Sequence, residues 1–356
     1  VAPLADAAQQ REFDLAAKLI DAGVDLDGSQ ADGMTALHWS VYHENVELAN
    51  RLMSAGANVS VKNRYGVGPL SIACQNGNSE LVALLLENGA NPNTTLRGGE
   101  TVLMTASRTG ILLPVQTLIR HGAKLDAHDR SGQTAIMWAA AAGNTAVVDA
   151  LIKAGADFRA QLDSGFTPLL FAVREGRDAT VNRLLAAGAD VNQAVRPKKS
   201  SGRGLRRGTT PLILAIENGH FELCQILLQH GADAKESRGG YTALHAITWV
   251  RKPIRGDGDP PPIGSGKLSS LKIVRVLAAH GADVNALHAK RGAGRERLNR
   301  TGATPFLLAA ETADLELMRL LLELGADPNI ANADNCTPLL AAAGVGVLGD
   351  GDEAAA

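Results

Sequence analysis

The sequence predicts an all-α repeat solenoid: paired antiparallel helices joined by short β-hairpins or loops, about nine repeats with the last one incomplete. Three observations carry this prediction. A Thr-x-Leu-like tetrad begins at positions 35, 68, 101, 134 and 167, a constant step of 33 residues. A Gly-Ala-Asp/Asn marker has its glycines at 23, 56, 89, 122, 155 and 188, the same step. The runs between the markers are apolar with helical periodicity, as in Glu80-Leu81-Val82-Ala83-Leu84-Leu85-Leu86. Composition agrees. The chain of 356 residues is 45% hydrophobic but only 3% aromatic, so its core must be built from Ala, Leu, Val and Ile in closely stacked helices.

Each element follows in order. Residues 1–30 form an N-terminal capping repeat, with the tetrad in register at Ala2-Pro3-Leu4-Ala5 and helices near 3–10 and 13–22. Residues 31–195 are the regular repeats. Their tetrad Thr caps a first helix, Pro at the next position suits the first turn, and the Leu with the following Ala residues packs inward. An amphipathic second helix follows and ends at Gly, where a left-handed residue costs little, and Asp or Asn opens the next turn. Residues 196–330 continue the pattern, with tetrads at Thr210, Thr242 and Thr304, but carry insertions at 196–207, 250–267 and 286–303. The first and third insertions fall in hairpins. The second, Pro- and Gly-rich, falls between two helices. Residues 331–356 hold a truncated repeat opened by Thr337-Pro338-Leu339-Leu340 and then an acidic tail. The whole of 1–356 reads as one repeat domain. A half repeat at the end leaves apolar surface open, so the natural protein is expected to continue with further repeats.

With period, tetrad and marker in hand, the chain resembles the ankyrin-repeat proteins over nearly its whole length, and in style the Ala-rich ones of bacteria, through stretches such as Asp32-Gly33-Met34-Thr35-Ala36-Leu37-His38-Trp39. The resemblance implies a non-catalytic scaffold for protein–protein interaction, with contacts on hairpin tips and inner-helix ends. Carried onto this sequence, those contact positions are Tyr42, His43, Arg64, Tyr65, Gln75, Asn76, Arg97, Arg108, Arg130, Gln133, Arg174, Glu175, Arg206 and Glu217. It also implies that His38 and His245, at the tetrad's fourth position, order the adjacent hairpin.

Charge is distributed unevenly. The net charge is -2, yet the three insertions carry +6, +2 and +4, which leaves -14 on the remainder. Four residues before each tetrad stand Ala31, Arg64, Arg97, Arg130, Asp163, Arg206, Arg238, Arg300 and Ala333. The resemblance implies that this position projects at the edge of the concave groove, and a row of arginines there suits an anionic partner: an acidic protein segment, a polyanionic glycan or nucleic acid. The alternative is that these arginines are soluble turn residues paired with nearby Asp. Nucleic acid fits less well, because no stacking aromatics interleave with the arginines.

Signals for catalysis fail on inspection. Cys74, Cys224 and Cys336 lie far apart outside any metal-ligand spacing, and buried free thiols are expected. His121, His230 and His280 precede the repeat Gly, where a cation suits a helix C-terminus. His43-Glu44 lacks the second His of a zinc-protease motif, because residue 47 is Glu. Gly264-Ser265-Gly266-Lys267 lacks the leading Gly and trailing Ser/Thr of a phosphate loop, and Arg255-Gly256-Asp257 is too short to carry meaning. Trp39 and Trp138 share one repeat position with Phe171 and read as a packed stripe. No metal or cofactor is expected. The second reading is a small-molecule or enzymatic site built from the insertions around residues 249–300. No apolar run is long enough for a membrane span. The start Val1-Ala2-Pro3-Leu4-Ala5 suits the mature side of a leader cut, which points to a periplasmic or secreted bacterial protein, with the cytoplasm as the alternative.

Overall fold

The tetrad decides where the inner helices begin. In the computed structural model, which describes residues 2–198, 207–252, 262–289 and 298–344, the Oγ1 of Thr101, Thr167 and Thr304 accepts from the N–H three residues on at 3.2, 3.3 and 3.1 Å. Pro69, Pro168, Pro211, Pro305 and Pro338 each fill a first helical position, where no donor is lost. The described helices run from five to ten residues. Helices below ~12–15 residues are marginal alone in water, so their stability must come from stacking.

The described residues form nineteen helices in two compact units. The first unit is Val1–Leu162 with Ala179–Ala187. It holds α1 (Pro3–Gln9), α2 (Phe13–Asp21), α3 (Ala36–Tyr42), α4 (Val46–Ser54), α5 (Pro69–Asn76), α6 (Ser79–Glu87), α7 (Val102–Thr109), α8 (Leu112–Arg120), α9 (Ala135–Ala142) and α10 (Thr145–Lys153). The second unit is Asp163–Asp178 with Gly188–Ala356 and opens on α11 (Pro168–Arg174). The next helix, α12 (Asp178–Ala186), falls almost wholly to the first unit. The second unit continues with α13 (Pro211–Glu217), α14 (Phe221–Gln229), α15 (Ala243–Arg251), α16 (Ser270–Ala279), α17 (Pro305–Glu311), α18 (Leu315–Glu323) and α19 (Pro338–Ala342).

Within the first unit α1, α3, α5, α7 and α9 stack into an inner row, and α2, α4, α6, α8 and α10 into an outer one. Within the second, α11, α13, α15, α17 and α19 form the inner row. The core runs between the rows. Leu37, Leu70, Leu103, Ile136, Leu169 and Leu212, all at the tetrad's third position, are buried, and the inner alanines Ala36, Ala73, Ala106 and Ala139 allow the close approach. At Leu339 the same position is 79% exposed, because among the described residues α19 has no outer helix of its own.

The repeat glycines do what the marker requires. Gly23, Gly56, Gly89, Gly122 and Gly155 end the outer helices at φ between 72° and 99°, a region cheap only for Gly. Beyond Gly23, Gly56, Gly89 and Gly155, Asp or Asn closes its own turn, as Asn91 does toward Asn93 N–H at 2.9 Å, while Lys124 stands at that place after Gly122. The residue two further on reaches the next repeat. Asn93 Oδ1 accepts from Lys124 N–H at 2.8 Å while its Nδ2 donates to the Gly122 carbonyl at 3.2 Å, and Asn192 and Asn285 repeat both bonds.

The hairpins are turns rather than strands; the described residues contain one isolated bridge, Thr95 to Thr101. Each arm is too short for a ladder. Asn63 N–H donates to Val67 O and Gly66 N–H to Asn63 O, both at 2.9 Å, and this closes the loop. Single bonds then stack one hairpin on the next, as from Arg64 N–H to Asp32 O at 2.8 Å.

The second insertion joins α15 to α16 and is fastened at both ends. At its entry Arg251 Nε donates to Asp314 Oδ2 at 2.6 Å and Nη2 to Asp314 Oδ1 at 3.0 Å. The same guanidinium reaches Ser270 Oγ, and Lys252 Nζ donates to the Ala313 carbonyl. At its exit Ser265 N–H donates to His220 Nδ1 at 3.0 Å, and Leu268 N–H to Glu222 Oε1 at 2.6 Å.

Candidate partner-binding face

The hairpins and inner helices of the first unit bring part of the expected site together. Arg64, Arg97 and Arg130 stand exposed at one position of three successive hairpins, and Tyr65 beside Arg64 is 65% exposed. Among the described residues none of Arg64, Arg97, Arg108 and Arg130 makes an ion pair. The Arg97 guanidinium instead donates to the Arg64 carbonyl. The ends of α3, α5 and α7 add a second row of exposed residues: Tyr42, Gln75 and Arg108. Arg108 lies over the Trp138 ring at 5.1 Å, which fixes its stem while its donors stay at the surface.

Other expected contact residues are engaged inside the fold. His43 takes the Arg11 Nε–H on Nδ1 at 3.2 Å, and its Nε2 meets the Gln9 carbonyl at 3.1 Å, so it ties α3 to the capping repeat. It also stacks on Trp39, with ring centroids 5.8 Å apart. Trp39 itself donates to Gln30 Oε1 at 2.7 Å. Asn76 Nδ2 lies 3.4 Å from the Tyr42 carbonyl. Gln133 is half-buried and closes its hairpin, with its N–H on Asp129 Oδ1 at 2.9 Å.

In the second unit the corresponding charges are matched. Arg174 pairs with Glu175 at 2.9 Å and lies over Phe166 and Phe171. Glu217 accepts from the Tyr241 hydroxyl at 2.8 Å. Arg238 pairs with Glu236, whose carboxyl is held below the usual range by that arginine's hydrogen bonds although burial works against its charge. Asp163 pairs with Lys198 at 2.6 Å, and Arg300 is nearly buried over Trp249. Arg206 lies outside the described residues, as do Arg255-Gly256-Asp257, the middle of each insertion and the acidic tail.

Among the described residues no group of three or more His, Cys, Asp or Glu is placed to hold a metal ion. Cys74, Cys224 and Cys336 are buried thiols, and burial pushes Cys74 up to about 12. His38 spans its repeat boundary, with Nδ1 on Thr35 and Nε2 on the Val67 carbonyl at 3.1 Å. His245 does the same between Thr242 and the Ala303 carbonyl at 3.0 Å, and burial lowers its pKa to about 4. His121, His230 and His280 sit at helix C-caps. Around 249–300 there is a depression lined by Thr248, Trp249, Lys252, Arg300, Leu308, Glu311 and Thr312, with one carboxylate and no histidine.

Sequence spacing gives no hint of one cluster. Asp178, His220, Glu222 and Ser265 meet in the second unit, although Ser265 lies 45 residues from His220. At the end of the run Gly264-Ser265-Gly266-Lys267, the N–H groups of Lys267 and Leu268 donate to Glu222 Oε1, which holds that carboxyl below its ordinary range against the opposing effect of burial. Burial, with Glu222 nearby, raises Asp178. The signal that could have found the contact is the glycine pair: a Cβ on Gly264 would lie 1.8 Å from the Gly219 carbonyl oxygen, and one on Gly266 1.9 Å from Glu222 Oε2.

No described helix is long and apolar enough to cross a membrane. The chain matches no curated protein. It is similar to the crystal structure of the human ASB11 ankyrin repeat domain, with a TM-score of 0.55 and 24% identity, over 65% of this chain and 99% of that one. Likeness to solved structures extends to 583 chains, so it speaks for the architecture and not for one partner. A three-copy ankyrin-repeat family model matches residues 4–96, 70–162, 103–195 and 196–252, and the single ankyrin-repeat model matches 301–333. With period, caps, stacking and these matches in agreement, the chain belongs to the ankyrin-repeat family.

Proposed function

We propose that this chain is a non-catalytic scaffold that holds an acidic protein segment on the hairpin and inner-helix face of its first unit. One contrast carries the reading. Arg64, Arg97, Arg108 and Arg130 make no ion pair among the described residues, whereas Arg174 and Arg238 of the second unit are matched to Glu175 and Glu236. An exposed guanidinium in no ion pair keeps its planar fork for a ligand. A row of them sets up a positive field that steers an acidic partner and weakens with salt. Exposed Tyr42 and Tyr65 supply residue types that dominate binding energy at interfaces. Ankyrin repeats generally serve as protein-interaction scaffolds, which supports the coarser part of the reading.

The test is capture of partners from the source cells by the immobilised whole chain at about 50 mM and about 300 mM salt, where the screening length shrinks roughly twofold. Partners are expected to be lost with the triple change Arg64→Glu, Arg97→Glu, Arg130→Glu, reduced at the higher salt, and retained with Arg238→Glu. Capture that survives the triple reversal would remove the proposal.

A further inference from the structure

An acidic partner could present its carboxylates from a strand, a helix or an extended coil, and the step between the arginines discriminates among them. Arg64, Arg97 and Arg130 occupy one position in three successive repeats. Each is tied to its neighbour. Arg64 N–H donates to Asp32 O at 2.8 Å and Arg130 N–H to Gly98 O at 3.0 Å. The Arg97 guanidinium rests on the Arg64 carbonyl, and a Cβ on Gly66 would touch Arg97 Cγ at 3.5 Å. The row is therefore fixed at its backbone, with the pitch of the helices behind it. Packed helices lie ~8–10 Å apart, so the backbone positions that carry the three arginines repeat at about that distance.

Three residues of a β-strand span ~10 Å, but strand side chains alternate, so the third one points to the opposite face. An α-helix meets the step only every seventh residue, ~10.5 Å along its axis, and brings a body ~10–12 Å wide. A polyproline II segment has three residues per turn and a rise of ~3.1 Å, so every third side chain lies on one face ~9.3 Å from the last. It alone places successive carboxylates on one side with short sequence spacing. Tyr65, 65% exposed beside Arg64, adds the flat aromatic surface on which proline rings of such segments dock.

We infer that the partner segment is a polyproline II stretch with Asp or Glu at every third position and proline between, seated along Arg64, Arg97 and Arg130. Three acids fill the row, because the next hairpin carries Asp163 at that position. The inference rests on the acidic-partner reading and adds its conformation and register.

Three labelled synthetic peptides test it by fluorescence anisotropy on the whole chain. One consists of four Glu-Pro-Ala triplets. The second has the same composition with its glutamates contiguous. The third is an Ala-rich helix with Glu at every seventh position. The periodic peptide is expected to bind at least about tenfold tighter than either of the others, a difference that register alone must supply at equal charge in the contiguous control. It should lose that advantage with the triple Arg→Glu change and weaken with Tyr65→Ala; these side chains are exposed, and circular dichroism checks that the variants stay folded. Equal binding of periodic and contiguous peptides, both abolished by the triple change, overturns the register and leaves the acidic-partner reading standing. Tighter binding of the helical peptide overturns the extended conformation. Absence of binding by all three overturns the inference and leaves cellular capture to decide the broader reading. Binding indifferent to the triple change overturns both.

Discussion

Asp126 shows how much one side-chain atom contributes at a repeat boundary. Its Oδ1 accepts from Asp157 N–H at 2.9 Å, as Asn93 does toward Lys124, but a carboxylate has no N–H for the Gly155 carbonyl. Asp126→Asn should add that bond and stabilise the fold by about 0.5–1.5 kcal/mol, read as a higher urea midpoint. His245 carries the opposite kind of dependence. It is fully buried and neutral between Thr242 and Ala303, and burial lowers its pKa from 6.5 to about 4. Between those values the unfolded chain binds a proton that the folded chain refuses, so stability falls as pH drops from 6.5 toward 4. Urea titrations at about pH 7 and about pH 5 should show the loss, and it should shrink in His245→Gln, whose amide does not titrate. The hairpin-ordering role of both tetrad histidines was legible through the family resemblance at the tetrad's fourth position, and both rings reach the carbonyl of the next hairpin. The bond from Ser265 to His220 was not, since an insertion erases the period that would have aligned them.

At the scale of elements, short helices draw their order from neighbours, and the joint around α15 shows this most sharply. The Arg251 side chain is 13% exposed and that of Asp314 only 2%, with Asp314 also capping α18 through Leu317 N–H at 3.2 Å. Burial works against the Asp314 charge, yet Arg251 and the cap bond hold its carboxyl below the ordinary range. Arg251→Met leaves a buried carboxylate without its counter-charge and should cost ~3–5 kcal/mol. Adding Asp314→Asn keeps the cap, removes the stranded charge and should recover part of the loss, which a double-mutant cycle by denaturant unfolding measures. Helix positions were readable to within a residue: α1 and α2 cover Pro3–Gln9 and Phe13–Asp21 where the sequence placed helices near 3–10 and 13–22. The hairpin conformation was less so, because arms of two residues form a turn and a stacking bond but no ladder.

For the whole molecule, the sequence separated charge into basic insertions and an acidic remainder, but it did not say which arginines are engaged. That depended on local geometry: Glu236 pairs with Arg238 and Glu175 with Arg174, while Arg64, Arg97 and Arg130 make no ion pair among the described residues. The salt sensitivity expected of the scaffold belongs to this scale, since it arises from the summed field of the row and not from one pair. Repeat arrays gain cooperativity only through nearest-neighbour interfaces, so in principle they fray one helical pair at a time. The second insertion changes that locally. Its exit reaches back through His220, whose Nε2 meets the Arg174 carbonyl at 3.0 Å, and its entry reaches forward to Asp314. Repeats that would otherwise melt in sequence are stitched there into a single block, and mechanical or chemical unravelling of the second unit must break the stitch before it can travel further.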